Sequence, residues 1–208
     1  MSAPGRVSAN YDYLFLTLAR APTPHPALAR RLADAAPALQ AAGGEIVGQW
    51  APQLGWANDE AAVLVRWAGA RGDFGAITSL EGVARSAVDH VAPTIRPGDA
   101  DRPGAGGIYV HRWFEIEAGA EDEFVQLSSQ GWAHFETLFD AKIFGLFRAE
   151  PSAADRAAGS SRLLLITRYG DHGVWEASRD PTTEAMQIFM RRQQLTRRSW
   201  AASTRLAG

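Results

Sequence analysis

Four residues at alternate positions of the stretch Ile108 to Glu117, IYVHRWFEIE, could carry chemistry: Tyr109, His111, Trp113 and Glu115. Histidine and glutamate can each orient a ligand or move a proton, and aromatic rings offer the apolar walls that a small molecule needs. In a strand alternate residues share a face, so all four look the same way. His111 and Glu115 then lie roughly 13 Å apart by strand rise, too far to touch, and each needs a partner from another strand. Arg148, Arg168 and Tyr169 can supply one. These seven residues form the expected ligand-binding set, and no catalytic residue is assigned.

Most other chemistries lack their residues. The chain has no cysteine, which removes thiolate nucleophiles, disulfides and cysteine-held metals. Its five histidines, His25, His90, His111, His134 and His172, show no metal-binding spacing, so no metal is expected. Haem held by His111, His134 or His172 finds no support in the pattern. The glycine-rich PGAGGIYV precedes a strand, whereas a dinucleotide loop follows one and opens a helix. No nucleophile elbow and no phosphate-binding Gly-Lys loop is present, and the single lysine, Lys142, has nothing beside it to activate it. A formal net charge of −2 offers no field for nucleic acid. The opening MSAPGRVSANYDY has no apolar leader core and no run approaches the roughly 18 residues of a spanning helix, so a cytoplasmic protein without a membrane partner is expected.

The elements that must position the seven residues emerge when the two halves of the chain are overlaid. EIVGQW (Glu45 to Trp50) lies over KIFGLF (Lys142 to Phe147), giving Ile-x-Gly-x-aromatic twice at an offset of 97 (143 − 46). LVRWAG (Leu64 to Gly69) lies over ITRYGD (Ile166 to Asp171), placing Arg66-Trp67 on Arg168-Tyr169 at an offset of 102 (168 − 66). Both arginines are expected to form structural ion pairs.

Ahead of these motifs each half has an alternating strand and an amphipathic helix. In YDYLFLTLA, Tyr11, Tyr13 and Phe15 share one face and Leu14, Leu16 and Leu18 the other; in IYVHRWFEIE, Ile108, Val110, Phe114 and Ile116 oppose the chemical face. Pro26 suits the first turn of the first helix and Gly43 its end, while Pro37 predicts a kink or break. The second helix is expected over about Ala120 to Phe139. A later helix is expected to take Asp180 as N-cap and Pro181 as its first residue. In GVWEASRDP, Trp175 should dock into the core while Glu176 and Arg179 pair with each other.

Each half therefore spells strand, helix, strand, strand, helix, strand, the split βαβ or ferredoxin-like unit. The expected fold class is α+β: two tandem ferredoxin-like units, their antiparallel sheets packed face to face as an α+β barrel. The halves are expected at residues 1–98 and 108–208, joined by a linker at 99–107 rich in proline, glycine and aspartate.

IYVHRWFEI, AKIFGLFRAE, LLLITRY, VWEASRDP and FMRRQQLTRRSW, in that order, resemble a bacterial member of the NIPSNAP family, within the dimeric α+β barrel superfamily. The match spans Gly107 to Gly208. The first half keeps the Ile-x-Gly-x-Trp and Val-Arg-Trp pieces but not Trp-Glu-x-Ser-Arg. The resemblance implies ferredoxin-like units joined sheet to sheet within the chain, with a homodimer open to it. The wider superfamily includes cofactor-independent monooxygenases, haem-handling enzymes and small-molecule binders, and the NIPSNAP branch maps no catalytic residue onto this chain. No cofactor is expected. Three functions follow: a NIPSNAP-type binder of a small apolar or aromatic molecule between its sheets; a cofactor-independent monooxygenase or isomerase/cyclase on a polyketide-like aromatic substrate; or an interaction protein whose interior is simply filled.

Overall fold

In the computed structural model, which describes residues 10–207, each half keeps the expected order of strands and main helices, with one added short helix between the second and third strands of the second half. The first half comprises β1 (Asn10–Leu18), α1 (Pro24–Ala41), β2 (Gly44–Leu54), β3 (Glu60–Trp67), α2 (Gly75–Thr78) and β4 (Val83–Pro93). The second comprises β5 (Ile108–Glu117), α3 (Glu121–Leu138), β6 (Ala141–Ala149), α4 (Ala153–Ala158), β7 (Ser160–Tyr169), α5 (His172–Ala177), α6 (Glu184–Gln193) and β8 (Thr196–Leu206). The opening stretch that bore on localisation lies largely outside the described residues.

The eight strands close into one antiparallel barrel in the order β1-β3-β2-β8-β5-β7-β6-β4. Within it each half is a ferredoxin-like sheet, β4-β1-β3-β2 and β8-β5-β7-β6. The two are stitched at equivalent seams, β2 to β8 and β4 to β6. The seams are short, Val91–Pro93 of β4 on β6 and Ser203–Leu206 of β8 on β2, so closure covers only part of each edge strand.

The aliphatic faces turn outward to the helices. Leu14, Leu16 and Leu18 pack with Leu28, Leu32 and Leu39 of α1. Ile108, Val110, Phe114 and Ile116 pack with Phe124, Trp132 and Phe135 of α3 and with Ala185 of α6. The aromatic faces turn inward, where Tyr11, Tyr13, Trp50, Tyr109, Trp113 and Phe147 form a third cluster. An eight-stranded barrel is just wide enough for side chains to fill. Trp50, Tyr11, Tyr109, Leu64 and Phe147 show no accessible surface, so its middle is solid.

The repeated glycine has a steric reason. Both β2 and β6 carry a bulge ending at it, between Ile46 and Gly48 and between Ile143 and Gly145. There the aromatic ring two residues on folds back over the glycine: a Cβ on Gly48 would come within 2.7 Å of Trp50 Cζ2, and one on Gly145 within 2.7 Å of Phe147 Cε2. The Ile-x-Gly-x-aromatic motif thus swings a large ring into the barrel at the same place in each half.

Two local expectations need correction. Helix α1 runs through Pro37 without a break; Pro37 and Ala33, one turn earlier, both lie on the exposed side, where water can satisfy the carbonyl that proline leaves free. Helix α6 starts at Glu184 behind Thr183, whose hydroxyl accepts the Met186 amide. Asp180 instead accepts the amide and hydroxyl of Thr182, holding the preceding turn.

Candidate functional site

Strand β5 sends Tyr109, His111 and Trp113 into the barrel, where residues of both halves surround them. The linker covers one mouth. The Tyr109 hydroxyl donates to the Gly104 carbonyl, Arg66 reaches Asp99 at 3.4 Å, Arg102 pairs with Glu45 at 2.7 Å, and Arg168 donates to the Gly106 carbonyl at 3.3 Å. Gly107 makes the turn into β5 with φ +72°, and any side chain there would strike the Tyr169 carbonyl. The opposite mouth is ringed by aromatics. Phe15 meets Trp56 edge-on at 5.1 Å, and Trp113 stacks with Trp200 at 6.4 Å. Trp200 faces inward beside Trp113 yet stays 40% exposed.

Between the mouths lies His111, 1% exposed. Its Nδ1 is 3.0 Å from the Tyr13 hydroxyl, and the rings of Trp50 and Trp56 stand edge-on to it at 4.8 and 5.3 Å. Burial pulls its pKa down to about 3, and burial pushes the Tyr13 phenol well up, so both groups are neutral near pH 7. Tyr13 and His111 occupy equivalent positions of the two halves, 98 residues apart, so their hydrogen bond spans the pseudo-twofold axis. Flanking contacts obey the same symmetry: Tyr11 packs on Phe147 at 5.3 Å and Tyr109 on Trp50 at 5.8 Å.

Three buried polar atoms of this interior lack a partner among the described residues: His111 Nε2, Trp50 Nε1 and the Tyr11 hydroxyl. Whichever ring nitrogen of His111 carries the proton, Nε2 keeps one unmet hydrogen-bonding valence. Such groups are rare in folded proteins and call for an explanation. Replacing Tyr13 with phenylalanine would orphan Nδ1 as well. The expected cost is about 1–3 kcal/mol, read from urea unfolding at pH 7; a change within about 0.3 kcal/mol would mean the bond carries no stability.

The remaining expected residues separate. Glu115 is half-buried at the aromatic mouth, opposite Arg198 and Arg162 in register. Arg168 sits at the linker mouth, tied to Asp140 at 3.0 Å. Arg148 turns outward to Asp122 at 2.5 Å, and Tyr169 turns outward into the helix-side cluster. Adjacent strand residues alternate faces, so Arg168 and Tyr169 cannot share a chamber, and the β6 bulge sets Phe147, not Arg148, inward. Glu176 and Arg179 do not pair; the Arg179 guanidinium lies over the Trp175 ring at 4.9 Å.

Pattern reading passed over Trp56 and Trp200, which complete the aromatic mouth. Trp56 follows β2 in a turn with no periodicity, whereas Trp200 could have been found from its alternation with Ala202 and Thr204. A recess of about 310 Å³ at the linker mouth is lined by Arg96, Arg102, Lys142 and Arg168 with Tyr109 and Phe144. Its cations are already held by carboxylates: Arg96 and Lys142 by Glu136, Arg102 by Glu45, and Arg168 by Asp140. Among the described residues no cluster of three or more histidine, aspartate or glutamate side chains could hold a metal, and no helix is long and apolar enough to cross a membrane.

No protein-family model matches the chain, and no curated protein matches it in sequence. Solved structures do match in shape. An anthrone oxidase-like protein superposes with a TM-score of 0.62 at 11% identity, over 99% of this chain and 94% of that one. A chlorite dismutase variant from Candidatus Nitrospira defluvii gives 0.58 at 8% identity, over 96% and 92%. Likeness at such low identity establishes the shared architecture: this chain has the fold of the dimeric α+β barrel proteins, two ferredoxin-like units forming one barrel.

Proposed function

We propose that the chain is a NIPSNAP-like binding protein that takes a flat, largely apolar aromatic molecule at the aromatic mouth, with the Tyr13–His111 pair as its polar anchor. The observation that carries this reading is the unsatisfied Nε2 of a buried, uncharged histidine enclosed by tryptophan rings. Trp56 and Trp200 are the residues to move, since the middle of the barrel is solid while this end is lined by partly exposed rings. In this reading His111, Trp113 and Glu115 face the ligand, while Tyr109, bonded to the Gly104 carbonyl at the linker mouth, lies on the far side of the solid middle. Because the barrel closes within one chain, a homodimer would add a surface contact without completing the site. A cytoplasmic location belongs to the same proposal.

The oxygenase alternative draws support from the anthrone oxidase-like neighbour, but His111 argues for anchoring over catalysis. A base whose conjugate acid has a pKa of about 3 is poorly matched to removing a proton near neutral pH. Anthrone is therefore a suitable probe for both readings. Binding should quench tryptophan fluorescence saturably, and Trp200→Ala should weaken it about 2- to 10-fold, the worth of one aromatic contact. Oxygen uptake with release of anthraquinone would replace binding by oxidation. No saturable quenching, together with no small molecule extracted from the purified protein, would leave the filled interaction protein.

A further inference from the structure

On the outer face of the second half, away from the barrel interior, three arginines converge without a counter-ion among the described residues. Arg112 points out of β5, Arg179 follows α5 and Arg192 lies on α6. They line a cavity of about 30 Å³ together with Tyr169 and Trp132. Arg192 is 7% exposed, and its guanidinium sits 4.7 to 5.1 Å from the rings of Phe114, Phe124 and Phe189. Its one hydrogen bond among the described residues runs to the Ser128 hydroxyl at 3.2 Å, and its Nε has no partner. The indole N–H of Trp132, a residue 3% exposed, is equally unmet.

Buried guanidiniums are ordinarily paired, because an uncompensated charge away from water is heavily penalised. Here the charged neighbours of Arg192 are Arg112 and Arg179, which repel it, and no carboxylate is among them. Burial, first, and then these two cations pull Arg192 down to about 9, so it remains charged near pH 7. The three phenyl faces offset part of the cost but supply no negative charge.

We propose that this cavity is an anion-binding site, taking one small monoanion between Arg112, Arg179 and Arg192 with the Trp132 N–H as a further donor. The volume admits about one to two water-sized groups, which suits a halide or a single carboxylate. Guanidinium forks match carboxylate oxygens in two-point contacts, and Arg179, exposed on the outer wall, leaves a way in.

Thermal unfolding of protein dialysed into sodium HEPES, whose bulky anion carries no carboxylate, at constant ionic strength, tests this with chloride and acetate as separate probes. A saturable rise in Tm of several degrees is expected with at least one, and Arg179→Gln should raise the half-saturating concentration at least tenfold. Arg179 is exposed, so this variant is expected to fold; Arg112→Gln serves as a second variant. A response to chloride identifies a free inorganic ion, and one confined to acetate identifies the carboxylate of an organic ligand. No saturable response, or one unchanged in both variants, overturns the site.

Discussion

Asp12→Ala should destabilise the protein by about 3–5 kcal/mol, the range for breaking a buried ion pair by removing one partner. Asp12 is 0% exposed beneath the helix side of the first sheet. It accepts the Trp67 indole N–H at 2.7 Å and the His90 Nδ1–H at 2.6 Å, and Arg71 lies 3.1 Å from the same carboxylate. Alanine would leave the Trp67 indole N–H without its acceptor and strip the Arg71 Nε of its carboxylate, although Arg71 keeps Glu150. Asp12→Asn keeps the shape and one acceptor, so its cost should be smaller, about 1–3 kcal/mol. Urea unfolding followed by far-UV circular dichroism measures both. An alanine variant within 1 kcal/mol of the parent would show that the cluster is not a keystone of the first half.

Acid should unfold the protein partly through His111. Its folded pKa of about 3 lies below the ordinary value of 6.5, so between these limits the unfolded chain binds a proton that the native state refuses. Stability is therefore full above about pH 6.5, falls by up to roughly 1.4 kcal/mol per pH unit as pH drops toward 3, and levels off below that. The difference in unfolding free energy between the parent and His111→Phe, measured at steps of pH, isolates this contribution. Parallel profiles would mean that His111 titrates normally in the folded state. Carboxylates add a separate loss at lower pH. Glu136 is one: burial raises it, but hydrogen bonds from Lys142, the Ile143 amide and Arg96 hold it below its ordinary 4.5. Such stability is present above that value and lost as pH falls through the depressed one.

The repeat made the architecture legible from residues alone. Period-two alternation assigned an aromatic and an aliphatic face to β1 and β5, and the recurrence of Ile-x-Gly-x-aromatic fixed the register of one half on the other. His111 was recognisable as chemistry-bearing, and its partner stood at the matching position of the first half. Yet Tyr13 was visible only as an apolar-strand aromatic, because a face says where a side chain looks and not whom it meets.

Tertiary structure decided the rest. Only barrel closure through the β2–β8 and β4–β6 seams brings Tyr13 against His111 and packs the interior solid, since the diameter follows from strand number and tilt. The β6 bulge, a backbone event, turned Phe147 inward and Arg148 outward. Asp12 meets Trp67, Arg71 and His90 from three later segments, partners that the pattern of β1 does not announce. Arg112 lies on β5, Arg179 beyond the end of α5 and Arg192 on α6, and their common want of a counter-ion among the described residues is a property of the space between them. Local sequence period sets which face a residue takes; partners, voids and unmet charges depend on long-range pairing, which no local period encodes.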